Sequence, residues 1–207
     1  MNNTLTTGGQ IGLRFGVWWT FLTIAGFAVG FPAGFIAGEL GLGNPGIEIV
    51  SAGVVGFMQW LALRQVLRGT GFWALANAAG FLVAAGVHAA ACYIWKLPDD
   101  MGISIGAIVW ASAFVLGGVL AGLLQQRILK SHVQNSGWWV PASAAGWGLA
   151  ITGTAAWFFL LPPIKSHSFV LVLLRNLVIP TALGASILGI ITACTIIWLL
   201  RRPKTQI

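Results

Sequence analysis

The sequence predicts an all-α integral membrane protein: six transmembrane helices arranged as three same-orientation two-helix repeats, with both termini cytoplasmic. Three observations predict it. Of 207 residues, 57% are hydrophobic and only 7% charged, where a soluble domain carries about 25% charged residues. The apolar residues fall in long continuous runs. A stretch of the chain also recurs at a fixed offset. The mean hydropathy is +0.88. This composition excludes disorder. Two cysteines, Cys92 and Cys194, exclude a disulfide scaffold.

A helix needs roughly 20 apolar residues to cross about 30 Å of hydrocarbon. Six segments qualify: about 17–38, 49–66, 72–95, 103–127, 138–161 and 170–200. Pro180 predicts a kink or break in the last, whose first part, Ser168 to Val178, could lie along the outer surface. Continuous apolar runs without strict alternation exclude a transmembrane barrel. Arg14 precedes an apolar run too long for a cleaved signal peptide, so that run is read as the first span.

Charge orients the spans. Arg14, Arg64, Arg68, Arg127, Lys130, Arg201, Arg202 and Lys204 fall on one side. Lys96, Lys165 and Arg175 fall on the other, with all four acids: Glu39, Glu48, Asp99 and Asp100. This is a positive-inside bias, and it accounts for the net charge of +7. Nucleic-acid binding is the poorer reading, because the basic residues are spread over span ends. Trp18, Trp19, Trp60, Trp73, Trp138, Trp139 and Trp198 fall near inner ends, and Trp95, Trp110 and Trp157 near outer ends. They read as an aromatic belt. Trp147 alone lies deep in a span.

Residues 56–81 align without gaps on 122–147. Gly56, Gln59, Leu63, Gly71, Trp73 and Gly80 meet Gly122, Gln125, Leu129, Gly137, Trp139 and Gly146. A shorter third copy runs from Trp18-Trp19 to Gly26-Phe27, mirroring Phe72-Trp73 to Gly80-Phe81 and Trp138-Trp139 to Gly146-Trp147. In the last helix, Gly189 and Thr192 are the equivalents. The chain is thus one transmembrane domain, 1–207, with repeat units of about 17–66, 72–127 and 138–200. All copies share one orientation, which is not an inverted-repeat transporter plan.

Two elements carry a resemblance: Gly56-Phe-Met-Gln59-Trp60-Leu-Ala-Leu63-Arg64 and Trp138-Trp139-Val-Pro-Ala-Ser-Ala-Ala-Gly146-Trp147. Over roughly residues 50–150 the chain resembles a bacterial polytopic membrane-protein family with repeated Gly-x-x-Gln-Trp-x-x-Leu-Arg and Trp-Trp-x-x-Ala-x-Ala-x-Gly-Trp elements. The second copy of the first element departs, with Gln126 and Arg127 in place of Trp60 and Leu61. The resemblance implies a multi-pass protein of the bacterial inner (plasma) membrane or an internal membrane. It brings no activity and no site residue.

Small residues mark one face. Gly26, Gly30, Gly34 and Gly38 recur every fourth residue, which keeps them on one side of the first helix for two or three turns. The repeat places Ala76, Gly80, Ala84, His88 and Cys92 on the same stripe of the third helix, and Ala142, Gly146, Ala150, Thr154 and Phe158 on that of the fifth. Small residues let helix backbones approach in lipid. Contact within the bundle is expected; a homo-oligomer interface or a pore lining is the sharper alternative.

Polar groups inside the bilayer are functional candidates. His88 stands about 10 Å from the outer end of its span, counted at 1.5 Å per residue. A hydrogen bond to a neighbouring helix is the plain reading; a tetrapyrrole ligand, a proton-sensitive switch or a metal ligand are the others. No Cys/His cluster has metal spacing, so no metal and no resident cofactor are expected. Gln59 and Gln125 match the depth of Asn77 and Ser143 across short turns. Gln59 is expected to bond Asn77 or nearby backbone, and Gln125 to bond Ser143. A polar ring at the mouth of a pathway is the rival. Cys92 and Cys194 lie at opposite depths, too far apart for a disulfide. Glu39, Glu48, Asp99 and Asp100 read as solvated loop acids. Phosphate-loop, zinc-protease and serine-hydrolase signatures are absent, and Ser166-His167-Ser168 has no acid nearby in sequence. The function expected is therefore non-enzymatic: an accessory or scaffold subunit packing through glycine-rich faces within the lipid bilayer, against a membrane-protein complex or as a homo-oligomer. The alternative is a small transporter or channel with a path along Gly34, His88 and Thr154.

Overall fold

The computed structural model describes residues 12–94, 103–160, 175 and 178–202. All regular structure within them is helical. The helices are α1 (Leu13–Ala37), α2 (Gly43–Leu63), α3 (Trp73–Ile94), α4 (Ile103–Leu129), α5 (Trp139–Leu160) and α6 (Ile179–Leu200). Five of the six are long and apolar enough to cross a membrane. The other, α5, has 22 residues, about 33 Å at 1.5 Å per residue. These lengths and compositions suit a membrane-embedded protein.

Each helix packs on the next, and α6 returns to pack on α1, so the six close into a ring. The C-terminal ends of α2, α4 and α6 meet the start of α1 at one end. There, a Cβ added at Gly16 would touch Ile197. His132 Nε2 lies 2.8 Å from the carbonyl of Arg68, and the Gln134 N–H donates to the carbonyl of Arg202. Arg64, Arg68, Arg127, Lys130, Arg201 and Arg202 cap this end, which we call the basic end. Large apolar side chains such as Phe21, Leu75, Leu82, Leu123, Leu149 and Ile190 are exposed on the outside. In water such a surface would aggregate; in lipid it faces its own kind.

The first hairpin differs from expectation. α1 begins at Leu13 rather than 17, and α2 at Gly43 rather than 49. A π-helical turn, Gly38–Leu42, joins them. Gly41 and Gly43 reverse the chain at φ +105° and +60°, backbone that glycine adopts without the Cβ penalty. Pro45 then falls in the first turn of α2, where its missing N–H would have had no helical partner anyway. Glu48, expected in a loop, is therefore inside α2. Pro180 stands in the first turn of α6, which directly follows a π-helical residue, Val178. The loop carrying Lys96, Asp99 and Asp100 lies outside the described residues. So do Trp95, Lys165, the Ser166-His167-Ser168 tripeptide, most of 168–178, Lys204, and the side chains of Cys92, Trp110 and Phe158.

Candidate functional site

The centre of the ring is aromatic. Successive residues on a helix point about 100° apart, so each aromatic pair at the basic end divides. Trp18, Phe72 and Trp138 are exposed, while Trp19, Trp73 and Trp139 turn inward and are almost fully buried. The three indoles meet with ring centroids 6.1, 6.1 and 5.2 Å apart. These three are therefore not interfacial anchors, as the belt reading had them; they are the core. Two turns further along, Phe27, Phe81 and Trp147 form a second layer. Trp147 lies 5.4 Å from Phe27 and 4.5 Å from Phe81. Phe114 of α4 joins it, 5.4 Å from Phe81. Edge-on and tilted aromatic pairs contribute about 0.5–1.5 kcal/mol each beyond area burial.

Each inner indole also donates one hydrogen bond to a helix that ends at the basic end. Trp73 Nε1 donates to Gln59 Oε1 at 3.4 Å, Trp139 Nε1 to Gln125 Oε1 at 2.8 Å, and Trp19 Nε1 to Thr192 Oγ1 at 2.9 Å. Gln59 Nε2 donates on to Thr23 Oγ1 at 3.3 Å, and Thr23 donates to the carbonyl of Trp19. A chain of bonds thus links α3, α2, α1 and α6. The expected partners were one turn off. Asn77 donates instead to the carbonyl of Ala52, at 2.7 Å. Ser143 packs beneath Gly122, where an added Cβ would stand 3.1 Å from its own. Gln125 Nε2 is buried with no hydrogen-bond partner. The indole reaches the glutamine because Trp lies 14 residues after Gln in both copies, a spacing legible in the sequence. Thr23 and Ser51, which donates to the carbonyl of Gly30, carried no such signal.

The glycine stripe faces inward, each part against the next helix along the chain. Added Cβ atoms at Gly26, Gly30 and Gly34 would fall 2.6–2.9 Å from Val55, Ser51 and Ile47 of α2. Gly38 meets Ile47, Gly80 meets the backbone of Ala121 on α4, and Gly146 meets Leu188 on α6. The other helices answer with glycines of their own: Gly56 against Asn77 and Ala74, Gly122 against Val140, and Gly189 against Thr20. These faces are filled by the chain itself.

His88 Nδ1 lies 3.4 Å from Glu48 Oε1. Glu48 is 7% exposed and His88 20%. This corrects the reading of Glu48 as a solvated lip residue. Burial removes each group from water, and the pairing offsets part of that cost. Thr154 donates to the carbonyl of Ala150 and lies 3.1 Å from that of Pro180. It borders a void of about 30 Å³ beyond the second aromatic layer, with Phe27, Phe31, Phe114 and Trp147. Gly34, His88 and Thr154 thus serve three different helix pairs: α1–α2, α2–α3 and α5–α6. Among the described residues, no group of three or more His, Cys, Asp or Glu could hold a metal ion.

A larger opening lies on the outside of the ring. α1 and α6 touch near the basic end and part further along, leaving a cleft of about 220 Å³. Its walls include Ile24, Phe31 and Pro32 of α1, Val178 just before α6, and Thr181 and Ala182 of α6. Set against known proteins, the chain matches no family model, no curated protein and no solved structure, so the likeness carried by its Gly-x-x-Gln and Trp-Trp elements assigns it to no family.

Proposed function

We propose that the chain is a non-enzymatic, multi-spanning membrane protein acting as an accessory or scaffold subunit. It is built from three two-helix repeats of one orientation, with both termini cytoplasmic. One observation carries the reading: the bundle axis is occupied by two successive aromatic layers, Trp19/Trp73/Trp139 and Phe27/Phe81/Trp147. A solute path down the axis would have to displace both. What supports the repeat is that residues matched by sequence make matched contacts, indole to glutamine or threonine in all three units. What supports the orientation is the gathering of arginines and lysine at one end, as expected of a cytoplasmic face. The reading of a transporter or channel along Gly34, His88 and Thr154 is weaker, because those residues face different neighbours.

With the glycine faces used internally, a partner subunit would dock on the outer apolar surface. Native mass spectrometry of the protein, extracted gently from its own membrane, is expected to show co-purifying subunits at fixed stoichiometry. A lone protomer that moves a solute in proteoliposomes would overturn the proposal.

A further inference from the structure

We infer that the cleft between α1 and α6 is a binding site for one acyl chain of a membrane lipid. The inference rests on the three-repeat reading. Gln59, Gln125 and Thr192 hold equivalent bonds, so the helices that carry them are in register at offsets of 66 and 67. The same offsets bring Glu48 onto Phe114 and onto Thr181. Each stands at a corresponding seam between successive units. At the first seam Glu48 reaches across to His88. At the second, the Phe114 ring reaches across to Trp147 of α5, with ring centroids 6.1 Å apart. At the third seam, between α6 and α1, the position holds the small side chain of Thr181. Among the described residues, side chains reach across two of the seams, and the third shows a cleft.

The occupant follows from the wall and the surroundings. The cleft opens on the outer surface of a ring whose outside is apolar. Among the described residues of its wall, Thr181 has the one polar side chain. A held water needs about 2–4 polar partners, which this wall does not provide. Leaving the space empty would forfeit the dispersion contacts of its lining. At about 220 Å³ the cleft exceeds the roughly 150 Å³ of an engineered apolar cavity that takes benzene. In a bilayer the material at hand is a hydrocarbon chain. The lower end of the seam is shut, since Gly189 closes on Thr20 and Trp19 bonds Thr192. A chain therefore enters sideways and is gripped at one end of the seam only.

The test uses the full chain in phosphatidylcholine–phosphatidylglycerol vesicles that include a phosphatidylcholine with a photoactivatable diazirine in one acyl chain. Cross-linked peptides are mapped by mass spectrometry. Labelling is expected to concentrate on Ile24–Pro32 and Val178–Ala182. Thr181→Phe, which copies the filled second seam, is expected to lower it about tenfold, as for loss of a well-fitted apolar contact. Ala28→Leu narrows the cleft from the helix surface and is expected to act likewise, even where Thr181→Phe folds poorly. Labelling spread evenly over Leu75, Leu82, Leu123 and Leu149, and unchanged by Ala28→Leu, would overturn the inference. So would cross-links in native membranes that join these residues to another protein. Even labelling leaves the co-purification result untouched, and a cross-link to another protein overturns this inference while supporting the scaffold proposal, so the two can fail separately.

Discussion

Gly80→Leu is expected to abolish the folded bundle. A Cβ at Gly80 alone would collide with the backbone nitrogen of Ala121 and lie 2.8 Å from its Cα. Those atoms belong to α4 and cannot move without shifting the helix. Extra carbons forced into a well-packed interior cost about 1–3 kcal/mol and occasionally more. Here the obstacle is backbone, so the upper end of that range or beyond is expected. Gly30→Leu and Gly34→Leu should follow, because each would press on α2 in the same way. Gly86→Leu is the control: it lies on the same helix, and an added Cβ there meets nothing within 4 Å. Size-exclusion profiles and thermal unfolding in mild detergent read the difference. A Gly80→Leu protein that melts like the parent would show that α3 and α4 do not approach as closely as described.

Trp139→Ala is expected to have the second large effect. It empties the space between Trp19 and Trp73 and removes the hydrogen bond that the Gln125 side chain accepts. Since Gln125 Nε2 already lacks a partner, the whole amide would be left buried and unsatisfied. Truncating a buried Phe or Trp to Ala typically costs about 3–5 kcal/mol, and an orphaned buried acceptor adds about 1–3 kcal/mol. Trp139→Phe separates the two, keeping most of the ring and losing only the N–H. Trp138→Ala, at a side chain 63% exposed, should stay within about 0.5 kcal/mol. Thermal unfolding that ranks Trp138→Ala with Trp139→Ala would contradict the inward–outward split of the pair.

Much of this architecture is legible in the sequence because lipid imposes few choices. A continuous apolar run of sufficient length is a helix, since backbone groups in hydrocarbon must be satisfied within the segment. That argument locates α3, α4 and α5 to within a few residues. It fails at the first hairpin because Asn44-Pro45-Gly46 has the composition of a turn. Proline at the start of a helix and proline in a loop read alike until the reversal at Gly41 and Gly43 is seen. The same ambiguity hides Glu48, and with it the partner of His88.

Periodicity tells which face a residue occupies, not what that face meets. The stripe of Gly26, Gly30 and Gly34 is plain in the sequence, but its partner, α2, is not. Equally, Trp19, Trp73 and Trp139 stand where interfacial tryptophans belong by depth. Only their angular position, one residue past an exposed aromatic neighbour, turns them into a core. The repeat contained the missing information: a position held by Trp three times, with Gln 14 residues earlier in two copies, is better explained by a shared bond than by a shared interface. The vacancy at Thr181 is visible only once the three seams are compared in space.

The central claim is that the axis is closed by its two aromatic layers. Ala150→Cys tests it most directly, in a chain whose Cys92 and Cys194 are replaced by serine. Ala150 borders the small void beyond those layers. In proteoliposomes, a membrane-impermeant thiol reagent applied at the basic end should fully label Ser131→Cys, which is exposed there, and leave Ala150→Cys unreacted. Labelling of Ala150→Cys from that end, at a rate comparable with Ser131→Cys, would mean water passes both layers and would contradict the account.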